Sequence, residues 1–348
     1  MRAAIFPTAV DPFGILARIV RLVAGMAAMA GFLSGAMAGP KIPELSAAKL
    51  SARLAGQEAQ LQKFIGTLEK TLVSGDLVGA EALVDRDSLL GRATSTLGIP
   101  EEGSLRQVFD DSTRRAWNER GVLRDYANTR FRFLRVRTLG ERPGLLFRSS
   151  TRQGGMNYAL LTVNEGRNGE LRISDIFVVG LNEYLSSTLR RTYKNVAAGF
   201  VKELGKGVPG VNTSYVEHIQ KVASISRDLQ SGNYEVGLIA LKQLPAEVQK
   251  ERSVLLMRLE AAEHISIDER DEAYTTWLES YPDEMELPLK IADFYASQRR
   301  WDDAERVLRG LIAKLGSDAL IKTELGTVLF RKTHDELWSG PLASLSVR

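Results

Sequence analysis

Asp175 stands in an apolar alternation, Leu171, Ile173, Asp175, Phe177 and Val179. A carboxylate among such neighbours can be an acid with a raised pKa, a contact for a ligand, or half of an ion pair with an arginine on the next strand. Tyr158 is the one hydroxyl that could join Asp175 in acid–base work, and Phe177 would line the same interior. Arg130, Arg148 and Arg172 are the candidate ion-pair partners, depending on register, and the structural pairing is the expected use of Asp175.

Other chemistry is excluded residue by residue. There is no cysteine, hence no disulfide, thiolate metal site or cysteine nucleophile. His218, His264 and His334 are far apart, and no pair has the i, i+4 spacing of a helical metal site. Gly205-Lys206-Gly207-Val208-Pro209-Gly210 lacks the preceding strand and the Lys-Ser/Thr ending of a phosphate loop. No Gly-x-Ser-x-Gly elbow occurs. The expectation is a non-catalytic chain with no metal and no cofactor.

Two kinds of periodicity position these residues. Leu50, Leu54, Leu61, Phe64, Ile65, Leu68 and Leu72 recur at helical steps and end near Ser74-Gly75-Asp76. Short helices follow at Ala80–Val84 and from Asp87, and Leu105–Trp117 carries a third long one. The period then drops to two. Strands are expected at 129–139, 145–153, 156–164 and 170–179, joined by Arg142-Pro143-Gly144, Gly154-Gly155 and Asn168-Gly169. Loops this short make an antiparallel meander. In the first strand the apolar parity flips at Phe133–Leu134, which a β-bulge would repair. A further helix runs from Asn182 to Leu204, and Gly205–Gly210 is the expected linker.

Beyond the linker the period is helical to the end. Ile291, Ala292, Tyr295 and Ala296 share a face, Arg299-Arg300 mark a turn, and Trp301 opens a helix carrying Ala304, Leu308 and Leu311. Short side chains at Ala292 and Ala304 let two antiparallel helices approach. This unit resembles the tetratricopeptide repeat, whose copies recur at about 34 residues. Equivalent positions fall at Ile267 and Tyr234, giving units at 215–250, 251–284 and 285–317 and a fourth first helix at 318–333. In the middle unit Arg258 and Arg270 occupy the small positions; a register shifted by three would place Ala261 and Ala273 there instead. The resemblance implies a groove for a protein or peptide partner, lined by first-helix residues such as Arg258, Lys290, Asp293 and Gln298.

The helices-then-meander order, with Ser74-Gly75-Asp76 before Ala80-Glu81-Ala82-Leu83, resembles the nuclear transport factor 2-like cone fold. Ile173–Gly180 is also similar to periplasmic phospholipid-shuttle proteins of the toluene-tolerance type. That resemblance implies an alternative role, carriage of a lipid or other apolar molecule in a cone lined by Asp175, Tyr158 and Phe177. The fold class expected is thus α+β, with N-terminal helices on a curved four-stranded meander, followed by an all-α repeat domain.

Charge separates the halves. Residues 39–212 carry 26 Lys+Arg against 19 Asp+Glu, and residues 213–348 carry 17 against 23, so a basic front faces an acidic back. The two could attract within or between chains, and an acidic groove favours a basic partner. The arginines are scattered without a nucleic-acid motif, so nucleic acid is not expected. At the front, Arg2, Arg18 and Arg21 precede the apolar run Leu22–Leu33 and the small–x–small Ala36-Met37-Ala38. This is the pattern of a secretory signal, and the run is short of the roughly 20 residues that a membrane span needs. The division expected is a signal at 1–38, a cone-like domain at 44–207 and repeats at 213–338. The chain would be exported to a bacterial periplasm with no stable span after cleavage, or be tethered by the uncleaved leader.

Overall fold

The computed structural model describes residues 46–56, 58–95, 121–140, 142–151, 155–166, 169–191, 213–283 and 285–343. The leader, the helix expected at 105–117, the end of the helix after Asn182 and the Gly205–Gly210 linker lie outside the described residues.

The front half opens with helices α1 (Ala47–Ala55), α2 (Ala59–Ser74), α3 (Leu77–Glu81) and α4 (Arg86–Thr94). Gly75 closes α2 in the left-handed region at φ 74°, where a side chain would be strained. Asp76 and Asp85 cap the next two helices by accepting from the backbone N–H of Gly79 and Ser88. Leu61, Phe64, Ile65, Leu68 and Leu72 form the buried stripe of α2, as their spacing demands.

The sheet is antiparallel, in the order β1-β2-β3-β4-β5. Its strands are β1 (Arg130–Leu139), β2 (Arg142–Ser150), β3 (Met156–Glu165), β4 (Leu171–Val178) and β5 (Glu183–Tyr184). The sheet thus has five strands where four were expected. The fifth is a two-residue addition to the edge of β4, too short to show a period.

Two bulges decide which side chains face where. In β1, Phe133 pairs with Phe147 and Arg135 with Leu146, leaving Leu134 as the extra residue. Phe131 and Phe133 therefore lie with Phe147, at ring-centroid distances of 4.7 and 5.5 Å, on the side of α1 and α2. Arg132, Arg135 and Arg137 all turn to the other face. In β4, Thr162 pairs with Asp175 and Val163 with Ile173, so Ser174 is extra. The single face read from the sequence is thereby split. Leu171 and Ile173 face the front helices, whereas Asp175 and Phe177 face the opposite way.

That opposite face is covered by the back half. Its helices are α5 (Thr213–Gln230), α6 (Tyr234–Lys242), α7 (Ala246–Gln249), α8 (Arg252–Glu263), α9 (Ile267–Ser280), α10 (Pro288–Ser297), α11 (Trp301–Leu315) and α12 (Ala319–Ala343). Tyr234, Ile267 and Trp301 each open a helix. Tight crossings sit on small residues: Ala292 and Ala304 are buried, and a Cβ on Gly237 would meet Leu229 Cδ2 at 2.2 Å. In the middle pair Ala261 and Ala273 are the buried small residues. Arg258 and Arg270 lie at the edge, paired with Glu272 and Asp271. Ala261 packs with α5 and α6 in one apolar cluster and Ala273 in the other, so neither register is singled out.

One apolar core runs from Leu50 and Leu68 through Phe147, Leu160 and Phe177 to Ile291, Leu311 and Val328. β3 is consequently buried along both faces, Asn157 and Thr162 included. A second, smaller core joins α5, α6 and one side of α8 through Val222, Leu238 and Val254. The packed core crosses the expected boundary between the halves.

The charges that separate the halves meet at this junction. Arg137 donates from Nε to the Lys314 carbonyl at 3.0 Å and from Nη2 to Ala313 at 2.9 Å, and Arg135 donates to the Ser317 carbonyl. These occupy carbonyls left open at the end of α11, where cations are favoured. Gly316, at φ 84°, allows the approach, since a Cβ there would meet Arg135 Nη1 at 2.5 Å. Asp318 accepts from Arg148 Nη1 at 2.6 Å and from Tyr158 Oη at 2.9 Å. The 180–183 segment is a second peg. Gly180 O accepts from Leu287 N at 2.7 Å, Leu181 O from Arg252 Nη2 at 2.5 Å, and Asn182 bonds Asp283 and Lys314. Leu287 holds the left-handed φ of 53° through that bond and its buried side chain, a conformation that otherwise costs about 1 kcal/mol. Among the described residues no helix is long and apolar enough to cross a membrane.

Candidate functional site

Asp175 is fully buried and its carboxylate is spoken for. Oδ1 accepts from the backbone N–H of Ile176 at 2.9 Å and of Ser186 at 3.1 Å. Oδ2 accepts from Ser186 Oγ at 2.5 Å and Arg142 Nη1 at 2.8 Å. Burial pushes its pKa up, against the pull of these donors and of Arg142. The ion pair foreseen from the sequence exists, but with Arg142 at the start of β2 and not with Arg130, Arg148 or Arg172. The turn had hidden Arg142 from a strand-by-strand count. Its guanidinium also lies 4.5 Å from the centre of the Tyr184 ring.

Tyr158 and Phe177 do not join Asp175 in a space beneath the front helices. Tyr158 is buried against Asp318, and burial with that neighbouring carboxylate drives its phenol pKa upward. Phe177 meets Tyr184 edge-on at 5.1 Å and lies beneath Lys314, whose Nζ is 5.7 Å from the ring centre. The bulge at Ser174 is the reason, because it turns the second half of β4 toward the back helices. Tyr158 and Phe177 join the halves, and Asp175 ties β2, β4 and Ser186 together within the front half.

Of the four groove residues expected, two are where a ligand could reach them. Arg258 is tied to Glu272 at 2.6 Å, and Lys290 Nζ to both oxygens of Glu263 at 2.6 Å. These are struts between helices. Asp293 and Gln298 line an open cleft of about 860 Å³.

The cleft has three walls. The first turn of α9 gives Ile267, Asp268, Arg270 and Asp271. The end of α10 and the turn after it give Asp293, Ala296, Ser297, Gln298, Arg299 and Trp301. The far stretch of α12 gives Phe330, Arg331, His334 and Asp335, because α12 is long enough to overhang the α10–α11 turn. Apolar surface is open here: Phe330 is 71 % exposed and Ile267 50 %.

The polar groups are partly satisfied. Asp271 accepts from Arg270 at 3.0 Å and from Gln298, and Arg270 also reaches Ser297 Oγ at 2.9 Å. Asp335 accepts from Trp301 Nε1 at 3.0 Å and lies 3.6 Å from Arg299. Asp293 differs: its Oδ1 is buried with no donor. Burial first, then the neighbouring Glu263, raises its pKa to about 6 against Arg270, Lys290 and Arg331. Burial and Asp293 in turn raise Glu324.

Sequence reasoning missed Phe330, Trp301 and Ile267 as cleft residues. Phe330 is an exposed aromatic two positions beyond the buried Val328 on α12. Trp301 and Ile267 had been assigned to packing only. Among the described residues no cluster of His, Asp and Glu is arranged to hold a metal. Compared with protein-family models, with curated proteins and with solved structures, the chain matches none.

Proposed function

We propose that this chain is a non-catalytic, exported binding protein that holds a segment of a partner protein in the cleft between α9, α10 and α12. The helical hairpins are then tetratricopeptide-like units, and the front half is the base against which they are fixed. The observation that carries this reading is the cleft itself. It combines exposed aromatic and aliphatic surface with fixed polar groups, the mixture that recognises a peptide. The junction supports it: a stack pinned to a sheet presents its cleft without a further ordering cost. The alternative role as an apolar carrier has lost Tyr158 and Phe177 as lining residues.

The test is selection from a randomised peptide library on the full exported chain. Binders are expected, and their affinity should fall roughly tenfold or more in Phe330→Ala, the loss of about 1.5–3 kcal/mol for one buried aromatic. Binders indifferent to Phe330→Ala and Ile267→Ala would overturn the reading.

A further inference from the structure

We infer that the Asp293 carboxylate is the subsite for one lysine or arginine side chain of the bound segment. The inference rests on the peptide-docking reading and names what that peptide must carry.

The argument is a local charge count. Around Asp293 lie the acids Glu263 and Glu324 and the cations Arg270, Lys290 and Arg331. Arg270 is committed to Asp271, and Lys290 to Glu263, which also accepts from Tyr274 Oη at 2.5 Å. Arg331 is the cation left for Asp293, and Glu324 adds a further acid beside it, so the four acids named here face three cations. A buried carboxylate oxygen without a donor is costly to leave so, and a side chain that supplies both charge and N–H groups answers both deficits. Trp301 and Phe330 line the same cleft, and their ring faces favour a cation while covering its aliphatic stem. The acidic balance of the whole back half draws such a segment in.

The pH dependence has a definite sign. Asp293 must be ionised to hold the cation, so the preference for a basic side chain is full above about pH 6 and fades as pH falls through that value. The facing groups on α8, α9, α10 and α12 are those already named.

The experiment takes the best peptide selected by the full chain and replaces each lysine or arginine in turn by norleucine. One replacement should weaken binding tenfold or more at pH 7.5, and much less at pH 5. In Asp293→Asn, a near-isosteric change, the peptide and its norleucine analogue should bind alike at both pH values. Glu324→Gln supplies a second variant should Asp293→Asn fail to fold. Its selectivity should weaken, because the named charges then balance, and the pH midpoint should move down because a repelling neighbour is gone. Peptides that bind through Phe330 but carry no basic residue, or that discriminate equally in Asp293→Asn, overturn the subsite and leave the cleft reading standing. Binding of free lysine or arginine as tightly as the peptide overturns the assignment to a peptide side chain. Failure to select any peptide removes both readings.

Discussion

Asp318→Ala will cost the folded protein about 3–5 kcal/mol, the usual result of removing one partner from a buried ion pair. Three groups depend on this carboxylate. Arg148 and Tyr158 reach it from the sheet, and the backbone N–H of Leu320 donates to it at 3.0 Å at the start of α12. Arg148 and Tyr158 are themselves largely enclosed, so their polar atoms have no water to turn to. Because the same carboxylate joins the two halves, its loss should also alter cooperativity. One thermal transition in the parent should become two, a sheet transition and a helical one, in calorimetry. The pH dependence follows from the depressed pKa of Asp318. Burial alone would raise it, but the bonds from Arg148 and Tyr158 and the Arg148 charge outweigh burial. A depressed carboxylate gives stability that is complete above the ordinary carboxylate pKa and lost as pH falls through the folded value. Asp318→Asn should therefore flatten the acid limb of the stability curve. An unchanged midpoint with a single transition in Asp318→Ala would show that the staple does not hold the halves.

Removing Asp175 tests whether that residue is structural or chemical. Asp175→Ala leaves the buried Ser186 hydroxyl and the N–H groups of Ile176 and Ser186 without their acceptor and removes the ion pair with Arg142, and the expected loss is about 3 kcal/mol in denaturant unfolding. Asp175→Asn keeps an acceptor for Ser186 and loses only the charge offered to Arg142, which is 28 % exposed and can turn to water. Its cost should be about 1 kcal/mol. The raised pKa makes the neutral amide easier to tolerate than at an exposed ion pair, since ionising Asp175 already works against burial as pH rises. Peptide affinity, measured per folded molecule, should be unchanged in both variants. A variant that folds with full stability yet loses binding would return Asp175 to the list of functional residues.

Much of the architecture was legible because it obeys short periods. The bulge at Leu134 could be read from the alternation of Arg130 to Arg137, since only an extra residue keeps both Phe133 and Val136 with the core. Helices α6, α9 and α11 open at Tyr234, Ile267 and Trp301, the positions reached by stepping about 34 residues along the helical pattern. The bulge at Ser174 was not legible. Leu171 to Val179 alternates without a break, and the sheet turns it only because different layers claim its two ends. The cleft was half legible. Asp293 and Gln298 sit on an outward helical face that periodicity identifies. Phe330 joins them only because α12 overhangs the turn between α10 and α11.

The sequence by itself determined the order of elements, the stripes that must be buried, and the opposite charge of the two halves. These depend on neighbours within a few residues, or on composition, and need no knowledge of what packs where. The tertiary structure alone decided that the outer face of the sheet is an internal surface. It also decided that Tyr158 and Phe177 belong to that junction, and that Asp293 is the carboxylate left lining a cleft. Each of those outcomes rests on pairing between residues more than a hundred positions apart in the chain or on the relative length of packed helices, and local periodicity carries no record of either.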